Sequence, residues 1–204
     1  MNSTPLRTPS PEGTPALHDR AIDNLRFIRK TMERAGSFTA ISGWGIVGAG
    51  ITAFAAAPIA IAQATPSRWI ATWIGAAIVA LAVSATTTAR KAKRSGEAMA
   101  SGPARKLWLA FAPPLVVGAV LTVLFVRLQL PQLLPGTWLL LYGTAVLVAG
   151  AFSIPIVPFM GLSFMVAGVI ALFAPAQLGN WFMVAGFGGL HVAFGLPIAR
   201  RYGG

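Results

Sequence analysis

One histidine stands alone in the apolar part of this chain. His191 lies in WFMVAGFGGLHVAFGLPIARRYGG, residues 181–204, about eleven residues from the start of its apolar run and about eight from its end. At about 1.5 Å per helical residue, that depth is near the middle of a membrane. An ionisable group at that depth is a functional hypothesis by default. An imidazole there could hold haem, hold zinc, relay a proton or make a hydrogen bond. Haem b needs a second axial ligand, and the only other histidine, His18, lies in a polar lead. Zinc needs more ligands than one histidine. A proton relay chains carboxylates, and no carboxylate follows Glu97. The reading left is a neutral ring bonded to a hydroxyl on a neighbouring helix, since a neutral imidazole costs far less to bury than a charge. Thr52 and Thr144 lie at similar depths, so the expected midplane polar site is His191, Thr52 and Thr144. Gly188 and Gly195, three before and four after, share the histidine's helix face and leave a groove for another helix or a ligand.

The elements that must carry this site are set by composition. Of 204 residues, 55% are hydrophobic and 10% charged, well below the quarter usual for a soluble domain. Four of the five acids precede residue 38. Apolar runs follow at about 39–62, 69–88, 107–126, 137–154, 157–174 and 180–199. Each is near the ~20 residues that cross the hydrocarbon as a helix, and the backbone there must satisfy its own hydrogen bonds. Residues 137–174 carry no charge; Pro155 and Pro158 break them, and the length allows two crossings with a short turn, a re-entrant pair or one broken helix.

The fold expected is therefore an all-α integral membrane protein of six transmembrane helices. Residues 1–13, rich in Pro, Ser and Thr, read as a disordered tail. Residues 14–37 read as an amphipathic cytoplasmic helix, with Leu17, Ala21, Leu25, Ile28, Met32 and Ala35 on one stripe. Residues 38–200 form the membrane domain and 201–204 a short tail. Basic residues set the orientation. Fourteen of the sixteen Lys and Arg fall in the N-terminal lead, in loop 89–106 or at Arg200 and Arg201. Only Arg68 and Arg127 fall on the other side, which places both termini in the cytoplasm. The long lead with its four acids is unlike a cleaved signal peptide.

Trp69, Trp138 and Trp181 open spans on the outer side, with Trp73 and Tyr142 a turn further in; Trp44 and Trp108 lie near the inner side. This reads as an interfacial aromatic belt. Gly45, Gly48, Gly188, Gly189 and Gly195 carry small-residue spacings that allow close helix packing. Pro113-Pro114 removes two backbone donors inside the third span and favours a kink. Without cysteine, disulfides and thiolate chemistry are excluded. No phosphate loop, metal-binding histidine pair or Ser-His-acid set is present, so neither an enzyme nor a bound cofactor is expected.

The stretches TMERAGSFTAISGWG and HVAFGLPIARRYGG give the chain a look similar to small uncharacterised multi-pass proteins of bacterial inner membranes. That resemblance implies a bacterial inner-membrane location and no particular activity. Two functions follow as expectations. The first is a non-enzymatic accessory subunit, packing with itself or with other membrane proteins and touching anionic headgroups through its basic face. The alternative is a small permease or channel for a neutral or anionic solute, with a site near His191. The net charge of +11 sits at span ends and calls for no nucleic acid.

Overall fold

A computed structural model describes residues 14–36, 38–96 and 98–203; the expected tail 1–13 lies outside the described residues. The chain divides into two units, residues 1–36 and 37–204. The first contains helix α1 (Thr14–Ala35). The second is all-helical among its described residues, and six of its helical segments are long and apolar enough to cross a membrane.

These are α2 (Gly43–Ile61), α3 (Pro66–Ser95), α4 (Gly102–Arg127), α5 (Leu134–Gly150), α6 (Ile156–Phe173) and a composite last span. The last span joins α7 (Gly179–Met183), a π-helical stretch Val184–Leu190 and α8 (His191–Tyr202). Helix starts follow capping chemistry. The hydroxyls of Ser42, Thr65 and Ser101 accept from the amides of Gly45, Arg68 and Ala104, satisfying otherwise orphaned donors. Proline stands in the first turns of α3 and α4, where its missing N–H is harmless.

Helix α3 outruns its apolar stretch. Residues 89–95, expected as loop, continue the helix through Arg90, Lys91, Lys93 and Arg94, and Gly96 ends it at φ 71°. Lysine and arginine are good helix formers, and cations suit the negative end of the helix dipole. Glycine then adopts the left-handed turn without strain. The helix α4 likewise begins early, at Gly102, and runs unbroken through Pro113 and Pro114.

Residues 39–42, expected as the start of the first span, precede the helix, and Phe38, Ala40 and Ser42 of this lead-in are buried. Phe38 and Ala40 pack with Ala92, Ala104, Leu107 and Ala149. The Phe38 amide donates to the Phe152 carbonyl (2.8 Å), and the Ser153 hydroxyl donates to the Phe38 carbonyl (3.1 Å). The lead-in to α2 is thus bolted to the α5–α6 turn. Lys91 Nζ donates to the carbonyls of Ile41, Tyr202 and Gly203 at 2.6–2.9 Å, bringing the C-terminus to this same end. We call it the basic end and the opposite one the tryptophan end.

Helices α5 and α6 form the most intimate pair, a hairpin of two helices. Gly136, Gly143 and Gly150 on α5 face Gly161, Gly168 and Pro158 on α6. A Cβ at Gly143 would lie 2.7 Å from the Gly161 carbonyl, and one at Gly168 would lie 2.9 Å from the Gly136 carbonyl. The spacing of seven residues puts these glycines on one helix face, and the backbones touch. Helix α2 packs against α3 and α8. By contrast α3 and α4, though consecutive, make no extended contact with each other and face outward over most of their length.

The packing glycines of the first and last spans divide. A Cβ at Gly45 would collide with the Thr87 hydroxyl, and one at Gly48 would approach Val83 at 2.8 Å. Gly188 sits under the Phe54 ring, and Gly195 against the Val47 amide at 2.9 Å. Gly189 departs from the expectation: a Cβ there meets nothing within 4 Å. The π-helical stretch has more residues per turn than an α-helix, so the four-residue spacing of Ala185 and Gly189 no longer puts both on one face. Gly195→Ala should therefore lower stability by about 1–3 kcal/mol, the usual overpacking range. Gly189→Ala should be neutral or raise it by up to ~1 kcal/mol through helix propensity. Thermal unfolding in detergent checks the contrast.

Candidate functional site

The site is built where α5 meets the π-helical stretch. Gly143 lets α6 approach α5 so closely that Phe164 lies edge-on to the neighbouring Tyr142, 4.8 Å between ring centroids. Opposite, the glycine-rich sequence Val184–Leu190 adopts the wide turns of a π-helix, a form often found at functional sites. His191 follows it directly, and its ring meets both elements. Nδ1 lies 2.8 Å from the Phe187 carbonyl, one turn back. Nε2 lies 2.7 Å from the Tyr142 hydroxyl.

These contacts assign the protons. A carbonyl only accepts, so Nδ1 carries hydrogen. With no carboxylate in any span, the neutral ring is the form that is least costly to bury. Its Nε2 then accepts, and the Tyr142 phenol donates. The phenol oxygen keeps a free lone pair. Phe111, Phe164 and Phe187 surround the couple, edge-on to the Tyr142 ring, with Phe164 edge-on to His191 and Phe187 stacked on it. Aromatic edges are weakly positive and faces weakly negative, so the cage tolerates polar atoms.

His191 is buried, as its place in the sequence implies, and Gly188, His191 and Gly195 do share one face. Helix α2 fills that groove: Phe54 covers Gly188, Gly50 approaches the His191 Cβ, and Val47 meets Gly195. The two threonines expected beside the ring do not join it. The Thr52 hydroxyl donates to Gly48 and the Thr144 hydroxyl to Leu140, each to a carbonyl of its own helix. A threonine can always satisfy itself this way, whereas a phenol reaches too far from its own backbone to do so. Tyr142 is the residue that sequence reasoning passed over as a partner. Its signal was its depth, one turn inside Trp138.

A cavity of about 490 Å³ opens beside the couple, between α2, α3, α4 and α5. Its volume is within the usual ~300–1,000 Å³ of ligand pockets. Small side chains create the space: Ala49 and Ala53 on α2, Ala76 and Ala80 on α3, Gly118 and Ala119 on α4. Pro114 lines it too. Among the described residues, no charged one does. The polar groups in its wall are Tyr142, His191, Thr122 and the indoles of Trp73 and Trp138.

Trp73 is buried here and Trp69 and Trp138 are half-buried against it, while Trp44 and Trp181 stand exposed as a belt would have them. Trp69 stacks on Trp138, with centroids 5.7 Å apart and planes 14° from parallel. Its centroid is 6.2 Å from that of Trp73. The indole N–H of Trp69 donates to Asn180, and that of Trp138 to Thr122 at 2.8 Å. The Trp73 N–H is buried with no partner among the described residues. Beyond the stack, at the tryptophan end, lies a second hollow lined by Gln63, Gln132, Gln177, Asn180 and Trp69.

Comparison with models of protein families, with curated proteins and with solved structures finds no match for this chain.

Proposed function

We propose that this is a non-enzymatic multi-pass protein of the bacterial inner membrane whose membrane domain takes up one uncharged small molecule at mid-depth, as a small permease or binding protein would. The observation that carries this reading is the cavity itself. It is apolar and uncharged, and it ends on a fixed Tyr142–His191 couple with a phenol lone pair to spare. A few well-placed polar groups in an apolar wall are what a ligand site needs for orientation. Missing charge disfavours ions and ion-coupled transport. The uneven placement of Lys and Arg supports cytoplasmic termini, with the basic end against anionic headgroups.

The test uses Gly118, where a Cβ meets only Leu141 at an ordinary 3.5 Å, so that a larger side chain extends into the cavity. Protein extracted in mild detergent should release an uncharged organic molecule at about one per chain. Gly118→Phe, with its helical content and melting retained, should release none. Wild-type protein that carries no such molecule, and whose melting responds to no neutral solute, would sink the reading.

An accessory-subunit role is favoured by a different observation. On α1, Leu25, Ile28 and Met32 recur at helical spacing and are all exposed. Such a stripe suits an amphipathic helix lying on the membrane surface or docking on a second protein. Both roles can coexist in one chain.

A further inference from the structure

We infer that the molecule in this cavity is a neutral lipid bearing a hydroxyl group, and that it enters sideways from the bilayer between α3 and α4. The inference rests on the small-molecule reading above and narrows it to a chemical class and a route.

The route follows from the packing. Helix α3 is held by α2, and α4 by α5, but α3 and α4 do not close on each other. Where they face across the cavity their side chains are small: Ala76 and Ala80 on one side, Gly118 and Ala119 on the other. Ile74 and Val123, both about half exposed, stand at the rim of this slit. The slit is apolar, and in a membrane its mouth opens onto acyl chains. The way from water is stoppered. The Trp69–Trp138 stack lies between the cavity, which Trp138 lines, and the amide-lined hollow, which Trp69 lines. Both indole N–H groups of the stack are bonded, so the stopper is tied on both sides to Asn180 and Thr122. An occupant that is soluble in lipid has an open door, and one that is soluble in water meets a closed one.

The chemistry follows from the unused polar function of the wall. Tyr142 has a phenol oxygen whose proton is already given to His191, whereas the partnerless Trp73 N–H is sealed among protein atoms and offers a ligand nothing. The wall therefore asks for a donor. A hydroxyl supplies one and carries no charge. A hydrocarbon would leave the phenol lone pair unused. A phosphate or ammonium headgroup would be buried with no counter-charge, because no Lys, Arg, Asp or Glu among the described residues lines the cavity. Mono- and diacylglycerols and long-chain alcohols have the required form.

Trp73 and Trp138 provide the readout, since bromine atoms on an acyl chain quench tryptophan fluorescence on contact. The protein is placed in lipid nanodiscs and titrated with a monoacylglycerol brominated in mid-chain, and separately with a phosphatidylcholine brominated at the same carbons. The expected result is saturable quenching by the monoacylglycerol only. It should be absent in Gly118→Phe and weakened about three- to tenfold in Tyr142→Phe, the loss of one neutral hydrogen bond. Circular dichroism confirms that both variants are folded. Equal, unsaturable quenching by both lipids would mean annular contact alone and would overturn the inference. In that case the molecule released from wild-type protein separates the two claims. A small polar compound, lost in Gly118→Phe, leaves the small-molecule reading standing with a different ligand. No compound at all removes both.

Discussion

Gly161→Leu should leave little folded membrane domain. A Cβ at this position would press into the backbone nitrogen of Leu147, with the Leu147 Cα at 2.7 Å and the Gly143 carbonyl at 2.8 Å. None of these atoms can swing aside, because all belong to the backbone of α5. Relief requires the two helices to move apart along their length. In lipid there is no hydrophobic force to hold them together, and close dispersion contact is the main term. Overpacking of an ordinary core costs about 1–3 kcal/mol, where side chains can yield. Here they cannot, and α5–α6 is the most extensive helix pair of the chain. The separation would also spread Tyr142 from Phe164 and strain the short turn that holds Phe38. Size-exclusion chromatography and thermal unfolding in detergent are the measurements. Gly75→Ala is the control, since a Cβ at Gly75 meets nothing within 4 Å. A sharp monodisperse peak for Gly161→Leu with the wild-type melting temperature would show that α5 and α6 do not approach as described.

That pair also marks the limit of what can be read from the residues alone. The six long apolar helices were legible because hydrocarbon thickness and backbone satisfaction leave few alternatives for runs of that length. The division at Pro155 and Pro158 was legible for the same reason. The glycines of α5 and α6 were not, because a seven-residue spacing within one helix carries meaning only when the partner helix repeats it at the facing positions. The denser glycine runs of the first and last spans stand out more in the sequence, yet Gly189 among them faces open space. A π-helical stretch is invisible to a reading that assumes 3.6 residues per turn.

The tryptophans follow the same logic. A ring at the end of a span suits a headgroup belt and an interior cluster equally well by depth. Which one it joins depends on rotation about the helix axis, set by every neighbour at once. Position along the chain puts Trp69, Trp138 and Asn180 at one end of the bundle; only the packing of α3, α5 and α7 makes them a stopper. His191 was legible as the lone histidine of the apolar part of the chain. Its partner was not, because hydroxyls at similar depth on several helices compete, and the threonines satisfy themselves locally.

The Tyr142–His191 couple should show strong non-additivity. Tyr142→Phe removes the donor and leaves Nε2 of His191 buried without a partner. His191→Leu removes the acceptor and leaves the phenol proton without one. Each single change should cost about 1–3 kcal/mol, the penalty for orphaning a buried polar group. The double variant loses both polar groups together, and its wall is simply apolar. Replacing both partners of a buried hydrogen bond by apolar groups can be nearly neutral. The double change should therefore cost less than the sum of the singles by about 1 kcal/mol, within the range of coupling energies for residues in contact. Hydrogen bonds between membrane helices average only about 0.6 kcal/mol in such cycles, so the excess measures how dry this cage is. Reversible unfolding in mixed micelles gives the four stabilities. Strict additivity would mean that the two rings do not share the bond in the membrane. A stable double variant would then separate architecture from function: it should keep the helix packing of the wild type while losing the phenol oxygen that a bound hydroxyl must meet.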